Sequence, residues 1–425
     1  VGDINYSPSE RLRVFIGVLL GYMFDGWDLL VISFTLFAIA QTFNVPTTTI
    51  SPAVTLSLIG SVIGGIFFGW MADKVGRRKT LMITIIVFGI TTFFTALAQS
   101  VFELMILRFI AGLGVGGEWG IGYSMLNEAW PSKTRGISGG ILQSMFVVGS
   151  LAASATSGLA LSTFGLSEGW RISFIIAGLA SLFSIYVRFG MPESKVWLQL
   201  QELKSKGMLP KGYQLRNPLR EIFSRDVRKY TLFGSVMASA YLFFAYSFLT
   251  YIPTYFGTVL KIPITTYTIM IVIAQLFGIM GYIINGWLSD ILGRKKTAII
   301  YGLITFISII SFYIALLLNT FFTSIVNFPL FYAYIAVYFS AGFIGNFGVW
   351  MGELFPTKMR ATGENFAYMI GRGIGAGLAP PVIPIFASSV GLGMGMVIGM
   401  AIGAIVQFIA IFGLKESKGT IIKPL

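Results

Sequence analysis

Long apolar stretches alternate with short polar, mostly basic connections along nearly the whole chain. A helix rises about 1.5 Å per residue, so crossing a hydrocarbon core of about 30 Å takes about 20 apolar residues. On that measure hydropathy predicts twelve spans, near 14–41, 50–73, 80–98, 102–126, 138–162, 170–190, 230–258, 266–290, 297–318, 327–353, 364–387 and 391–414. The longest connection, Pro192 to Lys229, contains Val196-Trp197-Leu198 followed by Glu202-Leu203. That pattern predicts a short amphipathic helix lying on the membrane surface. The expected organisation is therefore an N-terminal six-helix bundle over 1–191, a cytoplasmic loop with this helix over 192–229, and a C-terminal six-helix bundle over 230–425.

Composition narrows the class. The 425 residues are 55% hydrophobic and 11% charged, against roughly 25% charged in soluble domains. Soluble domains of this length lack enough polar surface here, and an all-α polytopic membrane protein fits. The net charge of +13 follows the topology: of 30 Lys and Arg, all but Arg108, Arg171, Lys261 and Arg372 fall on one side of the predicted spans. Basic loops stay cytoplasmic, so both termini are expected inside a multi-pass plasma-membrane protein. The same placement argues against nucleic acid as a partner. Val1 to Arg13 is short and polar and does not read as a cleavable signal.

Absent residue types exclude more. There is no cysteine and no histidine, so thiolate chemistry and His-dependent triads are out, and any moving proton must be carried by carboxylates, Tyr or Lys. No phosphate-binding G-x-x-x-x-G-K-[ST] motif is present, and Gly112-x-Gly114-x-x-Gly117 lies inside an apolar span with no preceding strand. Small residues there permit close helix packing, and no cofactor or metal is expected.

The chain contains itself twice. Gly69-Trp70-Met71-Ala72-Asp73-Lys74-Val75-Gly76-Arg77-Arg78-Lys79-Thr80 recurs 217 residues later as Gly286-Trp287-Leu288-Ser289-Asp290-Ile291-Leu292-Gly293-Arg294-Lys295-Lys296-Thr297. Glu128-x-x-Pro131-x-x-x-Arg135-Gly136 recurs as Glu353-x-x-Pro356-x-x-x-Arg360-Ala361. Such parallel repeats place a substrate site at mid-membrane between two rocking halves. With its loop motif in both halves, the chain resembles the major facilitator superfamily over essentially its full length. The resemblance implies two pseudo-symmetric six-helix bundles working as a monomer, with Asp73, Arg77, Asp290 and Arg294 in a latch. Glu128, Arg135, Glu353 and Arg360, at the ends of helices 4 and 10, are expected to form gating ion pairs that break and remake.

Local strings narrow the branch: Gly21-Tyr22-Met23-Phe24-Asp25-Gly26-Trp27-Asp28 in helix 1, Arg108 through Gly120 in helix 4, and Met191-Pro192-Glu193-Ser194 after helix 6. These resemble proton-coupled symporters of sialate, lactate and related monocarboxylates, with aromatic-acid symporters and sugar porters as neighbours.

Charges inside the hydrocarbon cost about 2.5–3.5 kcal/mol each even on insertion scales, so each requires a reason. Asp25 and Asp28 fall within about 5 Å of the predicted mid-membrane plane, Arg108 about 9 Å to its outside and Glu118 about 6 Å to its inside. Two acids three residues apart share a helix face and should not both ionise. They are the expected proton-coupling site, with Glu118 as a second candidate; the alternative is that Asp28 permanently neutralises Arg108. Arg372 sits mid-helix between glycines and before Pro380-Pro381. Its planar fork suits a substrate carboxylate, the alternative being a protein acid such as Glu364 or one across the cavity. Arg108 is a further candidate for substrate contact. Polar and aromatic residues available to complete the site are Tyr22, Trp27, Trp119, Tyr123, Gln143, Tyr241, Tyr246, Tyr251, Gln275, Asn346, Trp350 and Tyr368, with Gln143 and Gln275 favoured because a buried amide needs a partner.

The expected function is secondary active transport without enzymatic chemistry: a proton and a small organic anion, a monocarboxylate or sugar acid, cross together by alternating access. Proton-coupled sugar or polyol uptake, or drug export, is the alternative, with Arg372 structural.

Overall fold

The computed structural model describes residues 6–209, 217–318 and 324–423. Helix is the only regular secondary structure among them, and ten helices are long and apolar enough to cross a membrane. One of the ten, Arg135–Phe189, is 55 residues long and turns back at Gly165, where φ is +76° and ψ is −179°. That conformation is open to glycine and strained for other residues, so two spans, 135–164 and 166–189, meet with no connecting loop. Val101–Ala129 is a further 29-residue helix; Glu103, Arg108, Glu118 and Glu128 lower its apparent hydropathy, yet its second half is almost wholly buried. The described residues therefore hold the expected twelve membrane helices.

In chain order these are α1 (Pro8–Thr42), α2 (Pro52–Val75), α3 (Arg77–Thr95), α4 (Val101–Ala129), α5 (135–164), α6 (166–189), α7 (Arg228–Leu249), α8 (Ile264–Leu292), α9 (Arg294–Leu317), α10 (Pro329–Leu354), α11 (Thr357–Val390) and α12 (Leu392–Ile411). α1 starts well before its predicted span because Ser7 and Glu10 form a capping box around Pro8, which satisfies backbone donors that a helix end leaves open. Two helices are irregular. α10 tightens into a 3-10 turn over Ala341–Asn346, and α11 widens into a π turn over Arg372–Ala376. Pro380 and Pro381 follow that π turn; neither can donate to the carbonyl four residues back, and the helix loosens there to avoid the rings.

α1–α6 form one bundle and α7–α12 the other. α1 packs on α5 and α7 on α12, while α2 against α11 and α5 against α8 join the bundles. Phe102, Ile307 and Ile385 are among many large apolar side chains on the outside, the surface that lipid covers. The ends carrying both termini and most basic residues form one face, called the basic face below. The helix in the long connection, Lys195–Ser205, is present, but its setting differs from expectation: Val196 and Leu200 are buried and Trp197 donates Nε1–H to the Asp73 carbonyl at 2.9 Å. Val196 and Leu200 thus pack on the protein, while Leu198 stays exposed. Residues 210–216 of that connection lie outside the described ones.

Candidate functional site

Asp25 on α1 and Arg372 on α11 come from different bundles and lie within electrostatic range of each other at the centre of the molecule. Asp25 is fully buried and Arg372 nearly so, and neither makes a hydrogen bond or ion pair among the described residues. Both carboxylate oxygens of Asp25 and the Nη1 of Arg372 are buried and unpartnered. Unpartnered buried charge is costly. Gly371 and Gly375, near Arg372, are packing positions. A Cβ on Gly375 would meet the Ser239 carbonyl at 2.1 Å, and one on Gly371 the Ala238 side chain at 2.5 Å. They let α11 press against α7, which fixes the direction from which Arg372 projects.

Tyrosines surround the pair. Tyr22, Tyr246 and Tyr368 all lie within electrostatic range of Arg372. On the side toward the basic face, Trp119 stacks on Tyr368 with ring centres 3.9 Å apart and planes 13° from parallel. Gln143 ties this floor together: its Oε1 accepts from Trp119 at 2.9 Å and Tyr123 at 3.2 Å, and its Nε2 donates to Tyr22 at 3.1 Å. Tyr22 and Tyr368 adjoin one another. Tyr241 adjoins them from α7, donating to the Ala341 carbonyl at 3.0 Å.

Other expected members lie elsewhere. Asp28 lies within electrostatic range of Asp25 but faces other partners: positions three apart differ by about 60° around a helix, enough to turn Asp28 into the N-terminal bundle. There Arg108 Nη1 meets Asp28 at 3.2 Å, its Nη2 donates to Thr92 and Thr95 at 2.9 Å each, and Thr92 donates to Asp28. Arg108, with its guanidinium over the Phe174 ring, is thus not brought to Arg372. Glu118 is also engaged, with Arg188 at 2.6 and 3.1 Å and Thr84 at 2.5 Å. In the sequence Arg188 reads as a positive flank, because it ends a predicted span immediately before Phe189-Gly190-Met191. Trp27 is half-buried beside Phe24, Gln275 lies beside Tyr338 between α8 and α10, and Asn346 donates to the Arg294 carbonyl at 3.1 Å. These three are outside the central group.

Glu364 does not pair with Arg372. Two turns nearer the basic face, it is fully buried and accepts from Ser124 and from Asn127 at 2.9 Å, both on α4.

The basic face is closed by a network with near two-fold symmetry. Glu128 meets Arg77 of its own bundle at 3.2 Å and Arg360 of the other at 2.5 Å; Glu353 meets Arg294 at 2.9 Å and Arg135 across the interface at 2.9 Å. Arg77 also holds Asp73 at 3.0 Å and Arg294 holds Asp290 at 2.7 Å. All eight residues singled out for gating meet here. One further repeat joins the network: Glu193-Ser194 recurs as Glu416-Ser417. Glu193 accepts from the backbone of Arg77 and Arg78, and Glu416 from that of Arg294 and Lys295. Ser194 bonds Glu128 and Ser417 bonds Glu353 at 2.7 Å.

Known proteins were compared with this arrangement. The profile of the Major Facilitator Superfamily matches residues 18–380. A putative metabolite transport protein of Haemophilus influenzae is 31% identical over 98% of both chains. The cis,cis-muconate transport protein of Acinetobacter baylyi is 30% identical over 91% of this chain and 93% of its own. Among solved structures, the proton:xylose symporter XylE superposes with a TM-score of 0.81 at 20% identity, covering 98% of each chain; at that identity the likeness concerns the fold.

Proposed function

The chain belongs to the major facilitator superfamily of membrane transporters, and from that premise we propose that it carries a small organic carboxylate together with a proton by alternating access. The basic face is the cytoplasmic one, and a single chain in the plasma membrane is the working unit. The observation that carries this reading is the unpartnered Asp25 and Arg372, contributed by opposite bundles. Arg372 takes the substrate carboxylate, for which a guanidinium fork offers two parallel charge-assisted hydrogen bonds. Asp25 takes the proton.

Charge counting couples the two. In the empty carrier one guanidinium faces one carboxylate. A bound substrate adds a second carboxylate, and in a water-poor cavity one guanidinium does not neutralise both. Asp25 therefore travels protonated when the substrate is aboard. The Tyr22, Tyr246 and Tyr368 hydroxyls supply further donors, and the Trp119–Tyr368 stack closes the site toward the basic face. The muconate transporter among the relatives supports an organic acid as cargo.

Uptake into proteoliposomes tests this. A pH gradient should drive accumulation of a carboxylate in the wild type, with carboxylates competing and glucose not. Asp25→Asn should abolish accumulation while leaving counterflow exchange. Arg372→Lys should weaken affinity roughly ten- to hundredfold through loss of the fork. Accumulation by Asp25→Asn, or unchanged affinity in Arg372→Lys, would overturn the assignment; competition by sugars alone would favour a neutral substrate.

A further inference from the structure

We infer that Glu364 is a proton-binding site of the gate at the basic face, neutral when that gate is shut and ionised when it opens. Three helices converge on its carboxyl group. From α4 come the Ser124 hydroxyl and the Asn127 amide. From α10 the backbone at Gly352 approaches so closely that a Cβ there would sit 2.2 Å from Glu364 Oε1, and Asn127 uses the same amide to reach the Gly348 carbonyl at 3.1 Å. α11 carries Glu364 itself. α4 belongs to one bundle, α10 and α11 to the other, so the contact exists only while the bundles are closed at this level.

No cation touches the carboxyl group, although Arg360 lies within electrostatic range of it. Arg360, one turn earlier on α11, is committed to Glu128 at 2.5 Å and to the Gly352 carbonyl at 2.8 Å. Glu128 and Tyr123 on α4 are within electrostatic range, and neither is a cation. The two gate acids differ: Glu128 and Glu353 each touch two arginines. Glu364 has only neutral donors and no water-filled surroundings. Burying an ionised carboxylate without a cation is far more costly than burying the neutral acid. Closing the gate therefore draws a proton onto Glu364, and opening it hydrates the group and releases that proton on the same side. An acidic compartment at the basic face holds the gate shut, and an alkaline one favours opening. This sensor is separate from the coupling site proposed at Asp25, because its proton comes from and returns to the same side.

The chain has no cysteine, so a reporter pair is readily placed. Lys79 and Lys296 are exposed equivalents at the starts of α3 and α9; K79C/K296C carrying spin labels, in nanodiscs without substrate, reports the separation of the bundles by electron paramagnetic resonance distances. The open-to-closed ratio should rise with pH, by up to about tenfold per pH unit for one linked proton. Glu364→Gln should remove that dependence and keep the short distance at every pH. Glu364→Asp should retain the dependence, and Glu364→Ala should lose it, which keeps the test decisive if the glutamine variant does not fold. Asp25→Asn should leave it intact, so failure of the coupling assignment in transport assays and failure of this one are read separately. A pH-independent wild type, unchanged pH dependence in folded Glu364→Gln or Glu364→Ala, or its loss in Asp25→Asn alone, would each overturn the inference.

Discussion

Asp73 and Asp290 occupy equivalent places in the two halves, and each reaches across to the first turn of a helix in the other bundle. Asp73 accepts from Thr362 N–H at 2.8 Å and its hydroxyl at 2.7 Å; Asp290 accepts from the N–H groups of Gly136 at 2.7 Å and Ile137 at 2.8 Å. A helix start leaves backbone donors open and carries partial positive charge, so each carboxylate caps the opposing helix while an arginine of its own bundle holds it in place.

Asp73→Asn and Asp290→Asn should each weaken the closed arrangement of the basic face by about 1–2 kcal/mol, a cap's ordinary worth. Spin-label distances at the basic face should show an open population roughly tenfold larger in either variant, with the two effects similar in size. A change in one variant only would show that the two latches are not equivalent.

Gly21 gives room to a buried ion pair. A Cβ at this position would lie 1.8 Å from Arg188 Nη2 and 2.4 Å from Glu118 Oε2. Gly21→Ala should therefore displace the Arg188–Glu118 pair and destabilise the N-terminal bundle by about 3 kcal/mol or more. Gly158→Ala, where nothing lies within 4 Å, is the control and should be neutral or slightly stabilising. Thermal unfolding of the purified proteins in detergent makes the comparison.

Arg108 and Asp28 test whether a mid-membrane charge is structural. Arg108→Met leaves Asp28 buried and unpaired, at a cost of about 3–5 kcal/mol, whereas Arg108→Met with Asp28→Asn should recover most of it. Chemical-denaturant or thermal midpoints of the four proteins in the cycle give the answer. Equal losses in the single and double variants would mean that the pair is not a unit.

Glu416 supplies a pH dependence outside the membrane. Partial burial pushes its acidity toward weaker values, but backbone N–H groups of Lys418, Arg294, Ser417 and Lys295 outweigh this and hold the carboxyl below its ordinary range. A carboxyl depressed in the folded state stabilises above its unfolded value, and that contribution is lost as pH falls through the folded one. Wild-type thermal stability should thus fall on acidification below the ordinary carboxylate range more steeply than that of Glu416→Gln. The variant should be the less stable of the two at neutral pH, and the gap should close in acid.

Hydropathy and repetition made the architecture legible. Twelve spans, the division into matching halves and the gating octet all rest on quantities that add up locally: transfer energies along about 20 residues, and strings compared with themselves 217 residues on. The loopless turn at Gly165 was less visible, since one glycine's φ decides it. The stack of polar layers toward the basic face was not visible at all.

What the sequence by itself determined is which residues were expected to carry charge into the membrane: Asp25, Asp28, Arg108, Glu118 and Arg372. Which of them meet was decided by the tertiary structure. A rotation of about 100° per residue turns Asp25 and Asp28 to different surroundings: Asp28 pairs with Arg108, while Asp25 stays unpartnered within electrostatic range of Arg372, on a helix whose azimuth is set by packing such as Gly371 and Gly375 against α7. Pairing energies depend on distances of a few ångströms between segments hundreds of residues apart, and no local sum along the chain contains them.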